Sequence, residues 1–94
     1  TMKFPTNIIT NAVLAEFIGT LLFLYAILEY NNPFVACIAL LATLLTAGTV
    51  SKGHFNPAIS VMSFFKGDLS LKDLPVYVTA QILGGMAALQ IHKM

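Results

Sequence analysis

The chain has no arginine, and its five lysines are scattered along the sequence rather than clustered. It therefore lacks the basic stripe or patch that grips a phosphate backbone, which excludes nucleic acid as a partner. Cys37 is the single cysteine and stands inside an apolar run, so there is neither an intramolecular disulfide nor a metal-ligand cluster. It reads as a small buried apolar residue. Charged residues are only 10% of the 94, against 57% apolar, which lies outside the usual range of soluble domains. No nucleophile stands with a base, no glycine-rich phosphate loop is present, and no two carboxylates share a helix face. No enzyme is expected, and neither a cofactor nor a metal is implied.

What the chain has in quantity is apolar sequence. Residues 17–28, 34–51 and 74–91 carry no Lys, Arg, Asp or Glu. The last two approach the ~20 residues needed to cross the hydrocarbon core. The first reaches that length only by including Glu16. The expected fold is an all-α integral membrane domain over residues 1–94: a helix over 10–28, a second over 34–51, a re-entrant loop and half-helix over 52–66, and a third spanning helix over 74–92. Thr10 or Asn11 can cap the first helix, Asn31-Asn32-Pro33 is a turn signal, and Gly48 and Ser51 mark the end of the second. The apolar stretch 58–65 is about 12 Å long at the helical rise, roughly half the core, and Gly67 suits a left-handed cap after it. The first segment runs into residues 29–33 without a small-x-small cleavage site, so it is expected to remain a membrane helix. Thr1 ahead of Met2 reads as a processing remnant.

Lysines set an orientation. Lys3 precedes the first helix, and Lys52, Lys66 and Lys72 fall between the second and third, whereas the first connection carries only Glu29. The positive-inside bias then puts the N-terminus in the cytoplasm, with His92-Lys93 as a minor dissent. Tyr25, Tyr30 and Tyr77 lie near predicted helix ends and read as interfacial anchors. Ala15 with Gly19, Ala80 with Gly84, and Gly84 with Ala88 put small residues at i, i+4, and Gly85 adds another, so helices one and three can approach closely.

Between the second helix and the half-helix lies S-K-G-H-F-N-P-A-I-S, residues 51–60. Irregular backbone cannot face hydrocarbon, so this insert must line a cavity or be buried in protein. Asn56 fits an N-cap and Pro57 the first helical position. With its oxygen committed to the cap, Asn56 keeps an amide NH2 free to donate at the positive end of a helix dipole, beside the carbonyls of Gly53, His54 and Phe55. That combination suits a small neutral hydrogen-bonding molecule, repels cations and impedes protons. His54 has no second His, Cys or carboxylate at ligand spacing and reads as loop packing. Glu16 admits three readings from the residues alone: a buried structural acceptor, a proton or substrate site, or an interfacial residue.

The ordered set A-E-F-I-G-T, then S-K-G-H-F-N-P-A-I-S, then Y-V-T-A-Q-I-L-G-G, over residues 11–89, resembles the first half of the aquaporin and aquaglyceroporin family, the major intrinsic proteins. The resemblance implies that Asn56, Pro57 and Ala58 are the first pore signature and that Asn56 bonds water or a polyol at the channel centre. It implies that Glu16 and Gln81 support the pore loop, and that the function is passive permeation of water or small neutral solutes such as glycerol. Family members carry a second, inverted half, so the implied partners are a lipid bilayer and a second half, either another copy or a different chain, in an oligomer. The lysine bias argues against two copies inserting in opposite directions. By the same resemblance Ala36, twenty residues before Asn56, is the helix-two member of the outer constriction, where water-selective members carry a bulky aromatic, so the site would be wide. Ile59 follows the signature where the second family copy has arginine. Two other readings stand beside the channel: a membrane scaffold that kept the fold after losing transport, and a small proton-coupled carrier using Glu16.

Overall fold

The computed structural model describes residues 4–94, with side chains from Thr10 onward. The described residues form helices and connections only: α1 (Phe4–Tyr30), α2 (Pro33–Leu45), α3 (Gly48–Ser51), α4 (Pro57–Lys66) and α5 (Leu74–Lys93). Two segments are long and apolar enough to cross a membrane, Thr10–Tyr30 with 21 residues and Leu74–Lys93 with 20, and Pro33–Leu45 is a shorter apolar helix.

The helix boundaries follow from local chemistry, and some differ from those expected. α1 is already helical at Phe4, so Thr10 and Asn11 lie within it rather than at its cap. Proline is tolerated in a first helical turn, where its missing N–H has no partner to lose. At the far end Asn31 turns left-handed (φ 44°) and donates its N–H to Ile27 O at 3.1 Å. Asn32 then caps α2, its Oδ1 accepting from Phe34 N at 2.8 Å and Val35 N at 3.3 Å, and Pro33 opens the helix. α2 stops at Leu45 instead of continuing to 51. The Thr43 hydroxyl donates to Leu40 O and the Thr46 hydroxyl to Ala42 O, competing for helix carbonyls as Thr46 leaves helical geometry (φ −111°, ψ −88°). The chain resumes as the single turn α3, which ends at Lys52 (φ 76°).

α1 and α5 pack side by side in parallel. Gln81 bonds Glu16, Gly84 sits against Phe17 and Thr20, Gly85 against Leu24, and His92 Nδ1 lies 3.0 Å from Glu29 Oε2, so residue numbers climb together along both helices. Two parallel neighbours need a return path along their length, and α2 begins that return against α1.

The buried stripe of α1 comprises Ala12, Ala15, Glu16, Gly19 and Thr20, and that of α5 comprises Tyr77, Ala80, Gln81, Gly84 and Ala88, both at helical spacing. These are small or polar residues, while Leu14, Ile18, Leu22, Ile82, Leu83 and Met86 point outward. A soluble core has the opposite arrangement. Close approach through small residues, with large apolar side chains outward, is how helices associate in lipid. A β-carbon on Gly84 would come within 2.7 Å of Phe17 O, and one on Gly85 within 3.2 Å of Leu24 Cδ1.

Gly19, on the buried stripe of α1, admits the ring of Phe55 from the loop ahead of α4, which a β-carbon there would overlap. Two sequence expectations need correction. Cys37 is exposed rather than buried, because α2 packs along one side only and leaves Phe34, Ile38 and Leu41 open as well. Tyr77 is no interfacial anchor: it is 5% exposed and faces inward, one turn before Gln81.

Candidate functional site

The backbone over residues 52–56 reverses direction between α3 and α4. Lys52 (φ 76°), Gly53 (φ 67°) and Phe55 (φ 53°) are all left-handed. Gly53 is favoured by its φ, and a β-carbon there would lie 2.6 Å from Leu44 Cδ2 and 3.3 Å from Gly48 Cα. Phe55 has no such freedom, and a bulky residue in that region costs on the order of 1–3 kcal/mol. Surrounding structure must impose it.

Glu16 does so. Its Oε1 accepts from Phe55 N at 2.8 Å and Gln81 Nε2 at 2.8 Å, and its Oε2 accepts from the Ser51 hydroxyl at 2.6 Å and His54 N at 3.1 Å. The side chain is fully buried. Four donors converge on two oxygens, an arrangement that suits an ionised carboxylate, which accepts only. Without them, a buried charge would cost several kcal/mol.

A second layer surrounds the first. Gln81 Nε2 also donates to Ser60 Oγ at 2.7 Å, and His54 Nδ1 lies 2.8 Å from the same oxygen. On the other side of the ring, His54 Nε2 faces Ser63 Oγ at 3.4 Å. The imidazole lies against Tyr77, ring centroids 5.1 Å apart and tilted by 52°, and Tyr77 donates its hydroxyl to Ser51 O at 2.8 Å. The His54 ring is thus enclosed by serines and an aromatic, and no group of three metal-ligating side chains occurs among the described residues. Thr20 Oγ1 and Gln81 Oε1 are buried without a hydrogen-bond partner among the described residues.

Ser51, Ser60, Ser63 and Tyr77 escaped the sequence reading as members of this network. Ser60 and Ser63 did leave a signal, being one turn apart on the one face of α4 that is buried.

Asn56 stands at the outer edge of the network. In extended geometry (φ −162°) it caps α4, its Oδ1 accepting from Ala58 N at 2.8 Å, and Pro57 opens the helix. Asn56, Pro57 and Ala58 are exposed, and the Asn56 amide nitrogen has no partner among the described residues. α4 has ten residues, hence a length of about 15 Å. Gly67 (φ 95°) ends it, with Asp68 N donating to Ser63 O at 2.9 Å. The result is a free amide donor at the positive end of a short helix, suited to a hydrogen-bond acceptor.

Ala36 lies apart from the loop residues, in a pocket of about 300 Å³ with Ile27, Asn31, Asn32 and Pro33. An apolar groove of about 680 Å³ between the first halves of α1 and α5, lined by residues such as Val13, Phe17, Pro75 and Leu83, contains none of the loop residues either.

The sequence matches the family model described as Major intrinsic protein over residues 3–94. Aquaporin-5 of Rattus norvegicus is 36% identical over 90 residues, covering 81% of this chain and 33% of that protein. Aquaporin Z of Brucella melitensis is 38% identical over 96 residues, covering 86% of this chain and 42% of the relative. Aquaglyceroporin-4 of Botryotinia fuckeliana is 41% identical over 60 residues, covering 64% and 8% respectively. No solved structure matches the chain. The chain therefore spans well under half the length of these relatives. The family match along nearly its whole length, over a helical fold with a short capped helix behind a buried glutamate, makes this chain a member of the major intrinsic protein family, covering its N-terminal half.

Proposed function

We propose that this chain is half of a membrane channel for passive permeation of water or small neutral solutes such as glycerol, completed by a second half. The observation that carries the reading is the Asn56 amide, held at the N-terminus of α4 with its oxygen in the cap and its nitrogen unengaged among the described residues. In this reading α1, α2 with α3, and α5 are three spans, and the loop with α4 is a re-entrant half-helix. Irregular backbone at membrane depth has to be buried or line a cavity, and His54 N and Phe55 N are satisfied there by donating to Glu16. Asn56 donates to the permeant, and the carbonyls of Gly53, His54 and Phe55 accept its hydrogens. Pro57 and Ala58 shape the mouth of the half-helix, and Ala36 sits at a wide outer constriction. Lysine placement supports a cytoplasmic N-terminus.

The family relatives carry aquaporin and aquaglyceroporin names, which supports this permeant class and a non-enzymatic role. The carrier reading has less support, because the Glu16 carboxylate is already committed to four donors. Stopped-flow shrinkage of proteoliposomes tests the proposal, with water and glycerol run separately, on the chain alone and with an added second half. Fast shrinkage with a low activation energy, lost in Asn56→Asp together with cation exclusion, is the expected result. Background rates from folded protein under both conditions would instead favour a scaffold.

A further inference from the structure

The ring of Phe55 is 4% exposed and fills the notch on α1 where Gly19 lacks a side chain. Its backbone N–H is fixed by Glu16 Oε1 at 2.8 Å, one turn before Gly19 on the same buried stripe. Phe55 is thus held at two points, main chain and ring, in a left-handed conformation that phenylalanine does not adopt unaided. The next residue is Asn56, and the φ of Phe55 sets the direction in which the chain enters the cap. Asn56 makes one side-chain bond, to Ala58 N, so nothing beyond its own helix fixes its depth among the described residues.

We infer that Gly19 and Phe55 act as a positioning pair, a notch and a peg, that sets the depth and direction of the Asn56 amide. This inference rests on the reading of Asn56 as the permeant-facing group. Phe55 in this role contributes its main chain to the site and its side chain to the anchor. Gly84 provides the contrast, because the atoms nearest its missing β-carbon are Phe17 O, Thr20 Cβ and Leu21 N, all on α1 within the α1–α5 contact.

The test compares Gly19→Ala, Gly19→Ala with Phe55→Leu, Phe55→Ala and Gly84→Ala in the chain reconstituted in nanodiscs. The readouts are the NMR signals of the Asn56 side-chain NH2 and the Ala58 amide. Gly19→Ala is expected to shift both, and adding Phe55→Leu, which shortens the peg, to return them toward their original positions. Phe55→Ala introduces no overlap, and with the peg gone it should broaden or shift the same signals even if Gly19→Ala does not fold. Gly84→Ala should lower thermal stability while leaving them in place. Unmoved Asn56 signals in Phe55→Ala, or equal shifts in Gly84→Ala and Gly19→Ala, would overturn the pairing. Permeability is measured separately in the conducting assembly, where Gly19→Ala should reduce water flux and the double variant restore it. A wild-type assembly that does not conduct would sink the proposed function and leave the NMR result to judge the pairing alone.

Discussion

Gln81 Nε2 lies 2.8 Å from Glu16 Oε1, joining α5 to α1 across 65 positions of sequence. The same nitrogen donates to Ser60 Oγ at 2.7 Å, so one amide ties both long helices to α4. Around this bond the carboxyl oxygens of Glu16 gather the loop through four hydrogen bonds.

Glu16→Ala should remove the acceptor while leaving His54 N, Phe55 N and the Ser51 hydroxyl buried. Each buried donor left without an acceptor costs about 1–3 kcal/mol, so the loss should amount to several kcal/mol. Glu16→Gln keeps the volume but turns an NH2 toward groups that are all donors, so it too should destabilise, by a smaller margin. Thermal melting in detergent gives the order, and hydrogen exchange should show the His54 and Phe55 amides losing protection first. Equal stability of Glu16→Gln and the unmodified protein would show that the loop does not depend on the second carboxylate oxygen as an acceptor.

Two Asn-Pro steps cap helices by the same local geometry, Asn32 before α2 and Asn56 before α4. Replacing either by alanine should cost about 1 kcal/mol of stability. Asn56→Ala alone should reduce water permeation in a conducting assembly, since only that amide stands by the buried loop. Parallel stopped-flow traces of the two variants check this, and equal fluxes would remove Asn56 from the pathway.

Thr20 is 1% exposed, and its hydroxyl has no partner among the described residues. Thr20→Val exchanges that hydroxyl for a methyl group of similar size. Replacing an unpaired buried polar group in this way is neutral or stabilising, by up to about 1–3 kcal/mol. Thermal unfolding should therefore show an equal or higher midpoint, whereas a clear loss of stability would reveal a partner for the hydroxyl.

The His92–Glu29 pair, 3.0 Å apart, joins the far ends of α1 and α5, but both side chains are about a third exposed. Such pairs contribute about 0–1 kcal/mol. His92→Ala should shift the melting midpoint by no more than a few degrees, far less than Glu16→Ala. A comparable loss would mean that the helix ends depend on this contact.

The sequence by itself determined the class of the protein and the places where most of its helices start and stop. Long uncharged apolar runs admit few environments, and Asn-Pro steps and Gly67 act through backbone geometry within a few residues. The same locality marked Asn56 and Pro57 as the start of a short helix. It misplaced the end of α2, because the Thr43 and Thr46 hydroxyls compete with the helix only weakly and the outcome depends on how Gly48 packs near Gly53.

Tertiary structure decided which polar residues meet. The residues alone leave three readings of Glu16 open and give no sign that Ser51, His54, Phe55 and Gln81 converge on it from distant positions. Gly19 and Gly84 looked alike as small residues on helix faces, yet one receives an aromatic ring from a loop and the other a neighbouring backbone. Tyr77 and Cys37 exchanged their expected places for the same reason. Hydropathy and spacing report the period of a helix, but which face turns inward depends on partners far away in the chain.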